Sequence, residues 1–276
     1  STIEQLIACK DEEAGIRFLQ ERGWGGADVP DNADAILTRE REKIWETIGE
    51  MHVDMDVFDV LSYASWFHNL KAAVKEVCTG KSGANIFYEG TPIPKEELLR
   101  IIKEKDFKAL PQNMQAAAEE AVDALLHSGD GQLCDVIIDR ATMEAIKEAG
   151  RSAEDDIIRD YAESTVAVAN IKIAVRAAKT AKTLEFMKRA MAPCDTLNID
   201  SLAHAALAGM DSIIEYLNGN GYAEGAAALK ESPSAFERWC DNRIIQTIKP
   251  QKSNPFSVGP LVAYVIAREN EIKTVR

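Results

Sequence analysis

Apolar residues recur at three- and four-residue steps along most of the chain, which is the spacing of helices that bury one face. The clearest runs lie in the first, middle and last thirds of the sequence. They comprise Val57, Val60, Leu61, Ala64, Phe67, Leu70 and Val74, then Ile157, Tyr161, Ser164, Val168, Ile171 and Val175, then Leu261, Val265, Ile272 and Val275. No stretch bounded by turn signals alternates apolar and polar residues as a strand does. The pattern predicts an all-α protein.

Several residues mark where these helices begin and end. Gly80 and Gly150 follow periodic runs, and glycine is the residue that most often ends a helix, so we predict C-terminal caps at both. Ser232 followed by Pro233 is typical of a helix start, with the serine as the cap and the proline in the first helical position.

Each of the three runs contains the same pattern, namely Asn, four residues, Val and then Lys or Arg. The pattern occupies residues 69–75, 170–176 and 270–276, so the spacings are 101 and 100 residues. Such even spacing predicts a triplicated helical unit. Three related units can close into a pseudo-threefold ring or funnel, a shape suited to mechanical connection.

We place the three helical domains at residues 1–82, 83–183 and 184–276. If each repeat takes about 100 residues, the first repeat begins roughly 20 residues before Ser1. The other two copies continue for several helical residues past the pattern, so the third helix is expected to run beyond Arg276.

The repeated asparagine needs a reason, because Asn is a poor helix former whose side chain competes for backbone hydrogen bonds. It is either a buried polar contact that fixes how each helix packs or a residue that faces a partner. The basic residue six positions later either neutralises a helix C-terminus or faces an acidic partner.

Composition and charge disfavour several classes of function for this chain. The chain has 45 acidic and 32 basic residues, and its net charge of −13 disfavours nonspecific nucleic-acid binding. Five scattered cysteines without a Cys-x-x-Cys pair predict free thiols in a reducing compartment. The sequence has no apolar run of membrane-spanning length and no secretory signal, so we expect a cytosolic protein.

The charge is uneven along each repeat. Residues 1–60 carry a net charge of −9 and residues 61–110 a net charge of +2, and the second repeat follows the same order. Rotationally related repeats would collect charges of one sign at one end of the assembly. The alternative is an ordinary solvated surface.

The motifs that carry chemistry are incomplete. Gly80-Lys81-Ser82 resembles the end of a phosphate-binding loop, but Lys75 stands where that loop needs a glycine. The four histidines form no metal-binding pair, and the acidic clusters lack the loop that calcium requires. We therefore predict no catalytic, cofactor-binding or metal-binding residue, although distant residues could still assemble a site.

The last third resembles a known family through Asn254-Pro255-Phe256, Gly259-Pro260-Leu261-Val262-Ala263-Tyr264 and Arg268-Glu269-x-Glu271-Ile272-x-x-Val275-Arg276. Earlier matches are Gly23-Trp24-Gly25, Ile93-Pro94-x-x-Glu97-Leu98 and Ile137-Ile138-Asp139-Arg140. In order and spacing these segments resemble the central-stalk subunit of V-type ATPases, called C in prokaryotes and d in eukaryotes. The resemblance extends over essentially the whole chain.

The resemblance implies a non-catalytic, three-domain helical funnel without cofactors. Such a subunit sits at the cytoplasmic face of the membrane and connects the D- and F-type rotor shaft to the proteolipid ring. The alternative is an all-helical scaffold or ligand-binding module unrelated to ATPases, and an enzyme is a more distant alternative. The candidate packing or partner-interface residues are Asn69, Lys75, Asn170, Arg176, Tyr264, Asn270 and Arg276.

Overall fold

The computed structural model describes residues 2–81, 83, 86–254 and 257–276, and within these residues it contains helices and no strand. The all-α prediction is confirmed. The helices are α1 (Thr2–Ile7), α2 (Glu12–Gln20), α3 (Ala33–Glu50), α4 (Asp59–Thr79), α5 (Lys95–Glu104), α6 (Gln112–Ser128), α7 (Gly131–Ser152), α8 (Asp156–Lys179), α9 (Leu184–Ala190), α10 (Ile199–Ala208), α11 (Met210–Gly219), α12 (Ala223–Glu231), α13 (Pro233–Ile248) and α14 (Gly259–Val275). Short 3-10 turns occupy Met55–Phe58, Phe107–Ala109 and Lys249–Ser253.

Contacts divide the chain into two compact units. One comprises residues 1–57 together with 249–276, and the other comprises residues 58–248. This is a different division from the three sequence repeats, which stay a prediction.

The first unit joins the two ends of the sequence. Its last helix, α14, packs against α3 and against the 3-10 turn at Lys249–Ser253. Both helices contribute fully buried aliphatic residues to this unit: Ile36, Ile44 and Ile48 from α3, and Val262, Val265 and Ile272 from α14.

The second unit contains two apolar cores. In the first of them, α4 packs with α5, α6 and α7, and its Leu70 and Val74 are completely buried. In the second, α8 packs with α9, α10, α11 and α13 around Ile171 and Val175, and α12 packs on α11 and α13. The helix that ends a sequence repeat therefore lies in the core formed by the next repeat. Helices α7 and α8 also pack on each other and so connect the two cores.

Two of the predicted helix ends are confirmed. Gly80 follows α4 with a φ of 67°, in the left-handed region that favours glycine, and its N–H donates to the Glu76 carbonyl. Ser232 Oγ accepts from the N–H of Ala235 at 3.0 Å, and α13 begins at Pro233.

The predicted cap at Gly150 is wrong. Helix α7 continues through Gly150 to Ser152, and Gly150 is buried against α8. A β-carbon added at this position would lie 2.3 Å from Cβ of Ala162. The glycine is needed because α7 and α8 cross too closely for any side chain.

We expect Gly150→Ala to lower the free energy of unfolding by about 1–3 kcal/mol, because the added methyl group forces the two helices apart. Urea denaturation measures the change. Gly49→Ala is the matched control, since Gly49 is also helical but a β-carbon there meets nothing within 4 Å. Equal stability of the Gly150→Ala variant and the wild type would contradict the close crossing.

Candidate partner interface

The side chain of Asn69 binds the segment that leads from α4 to α5. Asn69 is 2% exposed, and its Nδ2 donates to the carbonyl of Tyr88 at 2.8 Å and to Oγ1 of Thr91 at 3.2 Å. The N–H of Tyr88 donates to Asn69 Oδ1 at 2.8 Å. One carboxamide thus pairs with both backbone groups of a single residue, as a neighbouring peptide group would.

Asn170, in the second copy of the sequence pattern, makes the same arrangement. Its side chain is fully buried, its Nδ2 donates to the carbonyl of Ala192 at 2.7 Å, and the N–H of Ala192 donates to Oδ1 at 3.0 Å. We call this pairing of an asparagine with both backbone groups of one residue an asparagine clamp. Each clamp crosses a predicted repeat boundary, because the asparagine ends one repeat and the bound residue begins the next.

Asn270 lies on α14 at the third position of the pattern, but it forms no clamp within the part of the chain that the structure describes. Its side chain is half-buried and has no hydrogen bond to a described residue. Only its backbone carbonyl is engaged, by Oγ1 of Thr274 at 2.7 Å. Within the described residues, Asn69 and Asn170 each form a clamp and Asn270 does not.

Glu163 is a second polar contact to the segment held by Asn170, two helical turns earlier on α8. Its carboxylate accepts from the N–H groups of Asp195 at 3.0 Å and Thr196 at 2.8 Å. Oγ1 of Thr196 donates to it at 2.7 Å, and Nζ of Lys147 on α7 at 2.6 Å. Together, Glu163 and Asn170 fix both ends of the connection between α9 and α10.

The environment of Glu163 favours its ionised form. Burial by itself raises the pKa of the carboxyl group, but the hydrogen bonds from Lys147 and Thr196 outweigh burial and hold the pKa below its ordinary value. No pattern along the chain pointed to this residue, because its partners lie 16 to 33 residues away and are brought close only by folding.

Glu40 organises the polar contacts of the first unit. It is 3% exposed, and it accepts from the N–H of Gly25 at 2.9 Å and from Nζ of Lys43 at 2.6 Å. Nη2 of Arg268 on α14 pairs with it at 2.5 Å, and the same guanidinium lies 5.5 Å from the ring centre of Trp24. Glu40 thus joins two of the segments that carry the family resemblance.

The basic residues of the repeated pattern have different surroundings. Nζ of Lys75 pairs with a carboxylate oxygen of Asp135 on α7 at 2.5 Å. Arg176 and Arg276 are exposed, and neither forms an ion pair with a described residue. Tyr264 on α14 is 36% exposed. Lys75 therefore fastens α4 to α7, whereas the other three side chains face solvent.

Other chemistry-bearing groups are dispersed in the described part of the chain. No three His, Cys, Asp or Glu side chains there are close enough to hold a metal ion. None of the helices that the described residues form is long and apolar enough to cross a membrane. The cysteines are free thiols, and burial raises the pKa of Cys134 to about 11 and that of Cys240 to about 12, which keeps both protonated at neutral pH. Ser82 of the phosphate-loop-like sequence lies outside the described residues.

These features define a class: an all-α protein in which buried asparagines of two long helices bind extended segments between helices. The profile of the ATP synthase (C/AC39) subunit family matches residues 1–276, and the chain belongs to that family.

Curated relatives are the equivalent subunits of A-type and V-type machines. The chain is 24% identical to the C subunit of the A-type ATP synthase from Methanocaldococcus jannaschii. The aligned region of 157 residues covers 51% of this chain and 38% of that protein. It is 21% identical over 247 residues to the C subunit of the V-type sodium ATPase from Enterococcus hirae, which covers 88% of this chain and 75% of that protein. The C subunit of the A-type ATP synthase from a Desulfurococcus species is 28% identical over 134 residues, 45% of this chain and 36% of that protein. The matched region thus spans under two fifths of the two A-type relatives.

We expect Asn170→Ala to lower the free energy of unfolding by about 2–5 kcal/mol, because it leaves the buried N–H and C=O of Ala192 unpaired. Asn270→Ala is the matched control, since it removes the same side chain from a site without a clamp. It should be neutral or slightly stabilising, given the higher helix propensity of Ala. Urea denaturation of both variants provides the comparison, and equal midpoints would show that the clamp contributes nothing.

The stabilisation from Glu163 should depend on pH. Because its pKa is lower in the folded protein than in the unfolded chain, its contribution is fully present above the unfolded value, near 4.5, and is lost as pH falls through the folded value. We expect Glu163→Gln to be less stable than the wild type by about 1–3 kcal/mol at pH 7. Urea titrations at a series of pH values should show the difference narrowing below pH 4.5. A difference independent of pH would mean that the carboxylate charge is not involved.

Proposed function

We propose that this chain is a non-catalytic central-stalk subunit of a rotary ion-translocating ATPase or ATP synthase. In this role it is a socket between the rotor shaft, made of D- and F-type subunits, and the proteolipid ring in the membrane. It would lie peripherally on the cytoplasmic face. The family match over the whole chain supports this proposal, and so do the names of the relatives, all of which are subunits of such machines.

The structural observation that carries the proposal is the pair of asparagine clamps. A socket that transmits torque must not slip or shear where one repeat meets the next. Apolar contacts are non-directional, whereas a carboxamide paired with two backbone groups tolerates little displacement before its hydrogen bonds fail. Clamps at Asn69 and Asn170 stiffen the two repeat junctions of the second unit against sliding.

The partner contacts that we propose follow from exposure. Arg176, Tyr264 and Arg276 are exposed, so they are candidates to face the shaft or the ring, with the three repeats arranged as a pseudo-threefold funnel. Exposed ion pairs contribute only about 0–1 kcal/mol each, so apolar contacts must supply most of the binding strength. The charges would mainly set the rate and orientation of assembly, and their effect should weaken with salt.

The test is reconstitution of the complex from its own subunits, with and without this chain. We expect the shaft to bind the proteolipid ring stably only when the chain is present, and ATP-driven ion transport to require it, while the catalytic head alone still hydrolyses ATP. Shaft and ring that assemble and pump without the chain would disprove the socket role. Binding of an unrelated ligand with no affinity for the shaft would favour the scaffold alternative.

Charge reversal refines the same experiment. The double substitution Arg176→Glu and Arg276→Glu should slow assembly at low salt by about tenfold without lowering the unfolding midpoint. Arg17→Glu with Arg238→Glu is the matched control, because both are exposed arginines outside the repeated pattern. If assembly slows equally in both double variants, the effect comes from overall charge and not from Arg176 and Arg276.

A further inference from the structure

The two clamped segments share one register. Tyr88 lies seven residues before the first residue of α5, Lys95, and Ala192 lies seven residues before the first residue of α10, Ile199. Two residues of each segment are apolar and pack in the adjacent core. One directly precedes the clamped residue, and the other lies five positions after it. These pairs are Phe87 with Ile93, and Met191 with Leu197. The common unit is thus an extended segment that leads directly into a helix.

Helices α4 and α8 bury the same three positions after the asparagine, on the face that receives the segment, whereas α14 does not. The residues one, four and five positions after the asparagine are buried in α4 (Leu70, Ala73 and Val74) and in α8 (Ile171, Ala174 and Val175). In α14 the corresponding Glu271 and Thr274 are exposed, and Val275 is partly exposed.

An open cleft lies at this face of α14. It has a volume of about 210 Å³ and is lined by Thr2, Ile3, Leu6, Leu19, Trp24, Glu271, Thr274 and Val275. The gap beside Asn69 has only about 20 Å³, and Thr91, Pro92 and Ile93 of the clamped segment form part of its wall. Among the described residues, no extended segment occupies the space on α14 that corresponds to the one filled beside Asn69.

We propose that Asn270 and this cleft bind an extended backbone segment that leads into α1, through a third asparagine clamp. The clamped residue is the one seven positions ahead of Thr2, and its N–H and C=O pair with the Asn270 carboxamide. Apolar side chains immediately before it and five positions after it fill the cleft. This inference concerns packing within the first unit and does not depend on the proposed function.

The geometry favours this segment over one from another protein. In both filled clamps the docked segment continues without interruption into a helix of the core that it enters. In the first unit the corresponding helix is α1, whose Ile3 and Leu6 already line the cleft. Helix α14 is held to α3 by the ion pair of Arg268 with Glu40, so Asn270, two residues further on, is fixed in position to receive the segment.

The docked segment of the second repeat supplies a probe. Residues 86–94, with the sequence IFYEGTPIP, are fused directly ahead of Thr2, so that the tyrosine of the graft stands seven positions before α1. We expect the graft to raise the thermal midpoint of the first unit by at least about 2 °C. We also expect it to slow hydrogen exchange in α1 at least about tenfold, because the cleft is filled and α1 is anchored.

Two variants test whether the gain in stability comes from the clamp or only from lengthening the chain. Asn270→Ala should abolish the gain in the grafted protein while leaving the ungrafted protein unchanged. A graft with proline in place of its tyrosine should also lose the gain, because proline has no N–H to donate. No gain from the graft, or a gain that survives both changes, would overturn the proposal. Equal stabilisation by a graft of reversed sequence would overturn the proposed register.

Discussion

The constraint on which the second unit depends is that extended backbone must enter an apolar core without leaving its N–H and C=O groups unpaired. Each unpaired group costs about 1–3 kcal/mol, and the segments at Tyr88 and Ala192 have no strand partner to satisfy theirs among the described residues. A carboxamide carries a donor and an acceptor in the same geometry as a peptide group. Asn69 and Asn170 therefore replace the missing strand from within a helix.

The same requirement explains why an unfavourable helix residue stands at the centre of long helices. Asn is less favourable than Ala in a helix interior by up to about 0.7 kcal/mol, a cost far below that of two unpaired buried backbone groups. Glutamine, one methylene longer, would hold the segment further from the helix than the 2.7–3.0 Å hydrogen bonds of the asparagines now hold it. The packing distance thus selects the shorter amide.

The sequence predicted what is encoded in periodicity and local spacing: the helical class and the caps at Gly80 and Ser232. It did not predict Glu40 or Glu163, whose backbone and side-chain partners are brought close only by folding. Gly150 was misassigned because a glycine at a helix end and one at a close helix crossing look identical in one dimension. Lys75 and Arg176 hold the same position in the repeated pattern. The pattern therefore could not show that Lys75 forms an ion pair whereas Arg176 is exposed.

Apolar packing and the polar contacts have distinct parts in this molecule. The two cores of the second unit supply most of the stability, because burial of Leu, Ile and Val scales with area and has no preferred direction. Such cores alone do not tie a particular backbone residue to a particular helical turn. The clamps and the Glu163 contact do so, since each fixes a specific backbone residue to a specific helical turn. Directional contacts resist displacement most where an extended segment passes from one helix to the next, and both clamps stand at such a segment.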